Sequence, residues 1–458
     1  MNTDPPGNTQ ESVSEPVTKP LKSRVLGGGL WLLIGNGVER GLRFARMAVL
    51  ARLLAPEDFG LMGLILVATG FVEALTFTAT NQAIIQHPSG RSREFLNTVF
   101  TVTIVRGLIL AVIIIVTAPW IAAFFDEPKL TPMIRVVSLT LVVMGLMNPA
   151  VQVILKDLDF RRWAIYQVVS GTLSVSVTII LGLWLRNVWA LVIGLIGEQM
   201  FLVCLSYLFA RHRPSVRWDR SSALVLARFC RKAFAIPLII GLMMQAPNLL
   251  LGKLADTAIL GAFLLTLTLA DIPTHIVTRV VATVGLPAFS SISDDLEGLF
   301  QAWQKVVTRA LIVFLLAMPL VLIGARPLLM LAYGPAYAAQ APVLRVLCIY
   351  VMMRMLFMTT GPLMWAVGRP DANRAAYLVG LVVTYVSGAF LVKESGAVGM
   401  ALALGAGWGS GAAVEITLCL RYFAHGRRRS DERIQSPRVG RGDRPAVRDA
   451  PSGVSSHE

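Results

Sequence analysis

Arginine residues inside apolar stretches are the side chains of this sequence that point most directly to chemistry. An arginine at the middle of a membrane costs about 2.5–3.5 kcal/mol even on a lenient scale, so such residues are expected to face protein or water. Guanidinium groups bind phosphate and carboxylate oxygens in pairs. The arginines in such stretches are Arg40, Arg43, Arg46, Arg106, Arg135, Arg279, Arg345 and Arg354.

The arginines nearest the middle of their stretches are the candidates for binding an anion. They are Arg40, Arg43, Arg106 and Arg354. Ion pairing that holds helices together is the alternative, and for any single arginine both interpretations stay open. The group as a whole favours anion binding, because fewer carboxylates than arginines lie in these stretches and the interior is left positive. The carboxylates are Glu39, Glu73, Glu198, Asp271 and Glu415.

Helical spacing places further polar residues beside the first arginines. Asn36, Arg40 and Arg43 follow intervals of four and three residues and so share one face of a helix. Glu39 stands four residues before Arg43, the spacing of an ion pair within a helix. Asn36, Glu39 and Glu73 are therefore candidates for the polar lining of a cavity or for ion coupling.

A second group of polar residues lies in the string DIPTHIVTR, where Asp271, His275 and Arg279 recur every four residues. A carboxylate beside an imidazole can relay a proton or bind a coupling cation, but we favour a structural ladder of satisfied side chains. No P-loop, G-x-S-x-G motif or His/Cys cluster occurs. We therefore expect no metal site, no cofactor and no enzymatic activity.

The elements that carry these residues are predicted to be membrane helices. The chain has 458 residues, of which 55% are hydrophobic and 15% charged, whereas soluble domains carry about 25% charged residues. Stretches of roughly 20 apolar residues, enough to cross about 30 Å of hydrocarbon, recur twelve times. The predicted spans are 26–50, 59–84, 96–123, 133–155, 163–185, 188–210, 230–252, 257–286, 304–325, 341–366, 374–392 and 397–422.

The distribution of basic residues orients these spans. With a cytoplasmic N-terminus, nineteen Lys and Arg residues fall in inner segments and six in outer ones, as the positive-inside rule requires. Both termini are then cytoplasmic, and no cleaved signal is expected. Much of the net charge of +15 follows from this topology, and without a recognised binding motif we expect no nucleic-acid partner. The predicted segments are a disordered tail at 1–23, six-helix lobes at 24–212 and 230–424, a basic linker at 213–229, and a disordered basic tail at 425–458.

The two halves of the chain are predicted to be a repeat. Residues 50–65, LARLLAPEDFGLMGLI, align without gaps with residues 251–266, LGKLADTAILGAFLLT, at a constant offset of 201. Arg52 then corresponds to Lys253, and Gly60 to Gly261. Six spans per half keep both halves in the same orientation, so a pseudo-twofold axis along the membrane normal is expected, with a substrate path between the lobes.

The string ARLLAPEDFGLMGL, residues 51–64, raises a separate question, because it places charges and a proline between apolar runs. Pro56 suits the first position of a helix, and Glu57 and Asp58 suit its first turn, so a helix start explains the residue types. The string as a whole resembles the signature of the polysaccharide transporter family, the Wzx-type O-antigen and exopolysaccharide flippases, related to the MATE exporters and the lipid II flippase. GPLMWAVGRPD at 361–371 is similar to the same family.

This resemblance implies a fold, a function and partners. The fold would be an all-α membrane protein of about twelve helices in two MATE-like lobes, although many relatives have fourteen. The function would be to flip an undecaprenyl-diphosphate-linked oligosaccharide across the bacterial inner membrane for O-antigen, capsule or exopolysaccharide synthesis. The four central arginines would bind the diphosphate. Membrane lipids would surround the protein, and a polymerase and glycosyltransferases of the pathway would be further partners.

Three functions other than that of a flippase are possible for such a membrane protein. A MATE-like exporter of cationic drugs would present an acidic cavity, which the arginine surplus disfavours. An integral-membrane polysaccharide polymerase would carry a sizeable external loop, but the predicted external connections are short, the longest being 325–340. An accessory scaffold for polymer synthesis would act through the basic tail.

Overall fold

The computed structural model describes residues 21–75, 80–233, 235–274, 289, 295–367 and 369–435. These residues form helices and no strand, in agreement with the predicted all-α class. The α-helices in chain order are α1 Leu21–Leu53, α2 Pro56–Leu75, α3 Thr80–Gln86, α4 Arg93–Phe124, α5 Leu130–Val137, α6 Leu139–Gly145, α7 Val153–Lys156, α8 Phe160–Leu185, α9 Trp189–Phe209, α10 Arg220–Ala233, α11 Ala235–Leu254, α12 Thr257–Ala270, α13 Leu296–Tyr333, α14 Ala341–Ala366 and α15 Pro370–Gln435.

Side chains at the helix starts explain where the chain changes direction. Helix α2 begins at Pro56, as the sequence predicted, and the carboxylate of Asp58 accepts a hydrogen bond from the N–H of Ala55 at 3.1 Å. Ser92 caps α4 by accepting from the N–H of Phe95 at 3.2 Å. These caps satisfy N–H groups that have no partner within the helix.

Eight helices of the described residues are long and apolar enough to cross a membrane, and a bent pair, Leu130–Gly145 with Pro149–Lys156, gives a ninth. The predicted count of twelve therefore stays a prediction. The predicted and observed counts of membrane helices differ partly because α15 counts as one helix. Its backbone nevertheless leaves the helical region at Gly396, with φ of 53° and ψ of −123°. Positions on both sides of this break, such as Gly380 and Gly407, pack together, so α15 folds back on itself.

The repeat predicted from the sequence has a reciprocal contact at its centre. A Cβ atom at Gly60 would lie 1.8 Å from the carbonyl oxygen of Thr257, and one at Gly261 would lie 1.8 Å from the carbonyl oxygen of Pro56. Gly60 and Gly261 are 201 residues apart, and so are Pro56 and Thr257. The two contacts are therefore related by the offset of the repeat. Helices α2 and α12 therefore pack in parallel about an approximate twofold axis, with backbone in contact at their first turns.

Two groups of helices meet at this contact and are called the first and second lobe below. In the first, α8 packs against α1 and α9; in the second, α15 packs against α11 and α14. Helix α15 reaches Gln435 among the described residues. The predicted segment boundaries, including the tail from 425, stay predictions, and residues 1–20 and 436–458 lie outside the described residues.

Candidate functional site

A cavity of about 940 Å³ lies between the two lobes. Helices α1, α2, α8 and α9 line it from the first lobe, and α11 and α12 line it from the second. The volume is at the upper end of the range for ligand sites in proteins, about 300–1,000 Å³. The cavity therefore has room for a sizeable polar group.

The lobes are in contact at the end of the cavity where α1 turns into α2. There the backbones of α2 and α12 touch at Gly60 and Gly261. The guanidinium group of Arg52, at the end of α1, donates a hydrogen bond to the carbonyl oxygen of Leu331 in α13 of the other lobe. This end is closed, and the lining residues of α1 extend away from it, from Met47 back to Gly37.

Among the described residues, five charged ones line the cavity: Arg40, Arg43, Arg46, Glu198 and Asp271. Three guanidinium groups thus face two carboxylates. An electrostatic surplus of this sign favours an anionic ligand.

An ion-pair network holds two of the arginines in place. Glu198 of α9 accepts from Arg43 at 2.9 Å and from Arg46 at 2.8 Å, one through each carboxylate oxygen. Arg43 also pairs with Glu39 at 2.8 Å, the partner that the spacing of four residues predicted. The side chain of Arg43 is nevertheless 51% exposed, whereas that of Glu198 is 10% exposed. Glu198 is therefore the buried anchor of the network, and Arg43 presents its guanidinium group to the cavity.

Arg40 differs from its neighbours on α1 in having no carboxylate partner among the residues that the structure describes. Its side chain is exposed and lines the cavity. It lies one helical turn from Arg43 on the same face. The two guanidinium groups are consequently placed to contact one ligand together.

Arg354, another predicted anion-binding residue, is committed to a buried cluster in the second lobe. Its guanidinium group donates to both carboxylate oxygens of Asp271 at 2.8 Å and contacts the Tyr350 hydroxyl at 2.6 Å. It also lies 5.3 Å from the ring centroid of Trp408, within the range of a cation–π interaction. Asp271 lines the cavity, whereas Arg354 lies behind it.

The remaining predicted residues lie away from the cavity or outside the described residues. Arg106 of α4 is half-buried and interacts electrostatically with Glu73 of α2. Neither is among the described residues that line the cavity, and neither are Asn36 and Glu39. His275 and Arg279 lie outside the described residues.

Two residues of the network were not predicted as part of the site. Arg46 and Glu198 were expected among the charges of the spans, but neither was expected in the cavity. The interval of three residues between Arg43 and Arg46 was an available signal, because it places both on one face. Glu198 had no comparable signal, since its partners are more than a hundred residues away.

Comparison with known proteins agrees with this architecture. Residues 49–342 match the family described as polysaccharide biosynthesis protein. The chain belongs to that family. A curated relative, the lipopolysaccharide biosynthesis protein WzxC of Escherichia coli (strain K12), is 23% identical over 355 residues, which cover 77% of this chain and 72% of the relative.

Solved structures of related transporters share the fold of this polysaccharide biosynthesis protein. The lipid II flippase MurJ in an inward closed conformation gives a TM-score of 0.71 at 13% identity, covering 86% of this chain and 89% of that chain. An inward-facing multidrug resistance MATE family transporter of the MOP superfamily gives 0.63 at 15% identity, covering 88% and 99%. The chain is therefore a multi-pass membrane protein with a MATE-like fold.

Proposed function

We propose that this protein is a flippase of the bacterial inner membrane, which moves a polyprenyl-diphosphate-linked oligosaccharide from the inner to the outer leaflet for O-antigen, capsule or exopolysaccharide synthesis. The observation that carries the proposal is the cavity between the lobes, closed at one end and lined by three arginines against two carboxylates. The family and fold agree with such a cargo. Both termini would face the cytoplasm, as the distribution of basic residues predicts.

The diphosphate would bind at Arg40 and Arg43. Arg40 has no competing carboxylate among the described residues, and Arg43 exposes half of its side chain although it is paired. Guanidinium groups match phosphate oxygens in pairs, and exclusion of water strengthens each contact. The sugars would occupy the remaining cavity, where Gln199, Asn248 and Thr268 provide neutral polar groups.

Transport would follow from rocking of one lobe against the other. Separation of α2 from α12 would open the closed end, while the opposite end would close around the cargo. The polyprenyl chain would stay in the lipid. Arg106 and Arg354 would act as structural ion-pair partners, since neither lines the cavity among the described residues.

A transport assay with the purified protein in vesicles tests the anion site. The substrate is a fluorescent sugar on a polyprenyl diphosphate, and the same sugar on an uncharged polyprenyl carrier is the substrate control. Arg40→Gln and Arg43→Gln are each expected to lower the rate at least tenfold, because a hydrogen bond to a charged group contributes about 1.5–3 kcal/mol. Arg40→Lys is expected to retain part of the rate.

Arg135→Gln is the matched control, because Arg135 is an exposed arginine on α5 that does not line the cavity. Its rate is expected to stay within twofold of the wild type. Full activity of both Arg40→Gln and Arg43→Gln would refute the anion site. A wild-type protein that moves neither substrate would refute the flippase function itself.

A further inference from the structure

The segment that joins the two lobes is bound along the side of α4. The carbonyl oxygen of the Asn97 side chain accepts from the N–H of Ser215 at 3.0 Å. The Thr101 hydroxyl accepts from the N–H of Arg217 at 3.1 Å and donates to its carbonyl oxygen at 2.9 Å. The backbone groups of alternate linker residues thus hydrogen-bond to α4, as along one edge of an extended strand.

The same hydrogen bonding continues into α10. The N–H of Asp219 donates to the Thr98 hydroxyl at 3.1 Å. The Asp219 carboxylate caps α10 by accepting from the Ser221 hydroxyl at 2.5 Å and the Ser222 N–H at 2.7 Å. These hydrogen bonds lower the pKa of Asp219 to about 2. At neutral pH the carboxylate is ionised, and it already accepts hydrogen bonds from Ser221 and Ser222. The linker is therefore a fixed part of the first lobe.

Apolar side chains on the outer side of this segment are exposed. Val216 is 69% exposed, Trp218 is 63% exposed and Leu224 of α10 is 52% exposed. The first two alternate with the residues that bind α4. A tryptophan with most of its surface exposed is unusual unless it contacts another phase or a partner.

The position of the linker along α4 indicates that these exposed apolar side chains contact the membrane. Helix α4 has 32 residues and is about 48 Å long, whereas the hydrocarbon core of a membrane is about 30 Å thick. Its exposed apolar stripe runs from Val105 to Phe124. The linker contacts α4 at Asn97 to Thr101, one turn before the stripe begins. Trp218 therefore lies at the boundary between membrane and water, where tryptophan is enriched.

Surplus positive charge surrounds the exposed tryptophan, since Asp219 is the one acidic residue between Arg211 and Arg228. Among the described residues, the arginines of this segment are all exposed and none forms an ion pair with a carboxylate. They are Arg211, Arg213, Arg217, Arg220 and Arg228. A basic surface at the membrane boundary gains about 1 kcal/mol per residue from a negatively charged leaflet.

We propose that residues 211–228 form a binding surface for anionic phospholipid headgroups, with Trp218 and Leu224 inserted among the lipids and the exposed arginines on the phosphates. This surface goes beyond the proposed transport function and lies away from the central cavity. Lipid bound here holds the first lobe at a constant depth, because the linker is hydrogen-bonded to α4.

Thermal unfolding of the full-length protein in detergent tests the surface. Phosphatidylglycerol or phosphatidylcholine is added at equal concentration, and bound lipids are counted by native mass spectrometry. Phosphatidylglycerol is expected to raise the Tm of the wild type by several degrees more than phosphatidylcholine. Arg217→Gln/Arg220→Gln is expected to lose at least half of this difference and to retain fewer phosphatidylglycerol molecules.

Lys305→Gln/Arg309→Gln is the matched control, since it also removes two exposed positive charges, from α13. It is expected to keep the full difference. Arg217→Lys/Arg220→Lys keeps the charge and is expected to behave as the wild type, which separates lipid binding from folding. Equal Tm differences in all variants, or an equal loss in the control, would overturn the proposal.

A third arm replaces the lipid by inorganic pyrophosphate. Pyrophosphate bound at Arg40 and Arg43 is expected to raise the Tm of the wild type and of Arg217→Gln/Arg220→Gln equally, because a soluble anion does not engage Trp218 and Leu224. A rise equal to that with phosphatidylglycerol, lost in Arg217→Gln/Arg220→Gln, would identify a site for soluble phosphates and overturn the lipid surface.

Discussion

Glu198 is the residue on which the geometry of the candidate site depends. It is buried, and its two carboxylate oxygens each hold one arginine of α1. Removing one partner of such a network leaves uncompensated charge, which costs about 3–5 kcal/mol when the pair is fully buried. Because Arg43 is half exposed, we expect a value below this range.

Glu198→Gln is predicted to lower the thermal stability of the protein and to slow transport, since Arg43 and Arg46 lose their anchor. The measurement is the Tm in detergent together with the vesicle transport rate. Glu39→Gln is the control, because Arg43 is the one ion-pair partner of Glu39 among the described residues, and a pair spaced four residues apart contributes about 0.3–0.5 kcal/mol. A Tm of Glu198→Gln equal to that of Glu39→Gln would show that the network does not stabilise α1.

At the scale of elements, the contact between α2 and α12 closes one end of the cavity. Its closeness depends on Gly60 and Gly261, because any side chain at either position would meet backbone of the other helix. Backbone atoms cannot rotate away as a flexible side chain can. The two helices must therefore separate if either glycine is replaced.

Gly60→Ala is predicted to favour a state in which this end is open and to reduce transport. The distance between spin labels at Lys129 and Lys393, exposed residues on the two lobes, would report the separation by double electron–electron resonance after the four native cysteines are replaced. An increase in that distance is expected.

Gly324→Ala is the control for this experiment, because a Cβ atom there would meet only the side chain of Leu328 at ordinary contact distance, 3.6 Å. Both substitutions favour a helix by about 1 kcal/mol. A loss of transport in Gly60→Ala alone must therefore come from the contact with α12. Unchanged distances in both variants would mean that the contact does not hold the lobes together.

At the scale of the whole molecule, the negative charge of the cargo makes the free energy of its transport depend on the membrane potential. A membrane potential of 100 mV contributes about 2.3 kcal/mol per charge, and an inside-negative potential drives anions outward. A diphosphate of roughly two charges would gain about 4–5 kcal/mol, close to a thousandfold shift in its distribution. No coupling ion is required for transport in this direction.

Vesicle transport is therefore predicted to depend on the membrane potential. A potassium diffusion potential that is negative on the side of the linker should increase the accumulation of substrate on the opposite side, and a reversed potential should decrease it. Accumulation that follows a proton gradient at zero potential would contradict this prediction and would point to a titrating group.

The rival function of cation export is disfavoured at this scale too. In the described part of the chain two carboxylates line the cavity, but Glu198 is engaged by two arginines and Asp271 by Arg354. A cationic ligand would have to displace a guanidinium group and would also meet the charge of Arg40. An anion meets neither obstacle.

The sequence by itself determined the class of the protein, its resemblance to a family and its repeat. Apolar runs of membrane length force helices, because backbone groups in lipid have no other partners. The offset of 201 residues located the two glycines that later proved to touch. Local spacing also placed Arg40 and Arg43 on one face of α1, since neighbouring turns of a helix are rigidly related.

Only the tertiary structure decided which arginines remain available to a ligand. Arg354 pairs with a carboxylate 83 residues away, and Arg46 with one 152 residues away. The sequence shows how many arginines and carboxylates the spans contain, but not which of them pair. The pairing depends on how helices distant in the sequence pack together. Arg40 and Arg354 looked alike in the sequence for this reason, whereas in the folded chain one faces an open cavity and the other is buried behind Asp271.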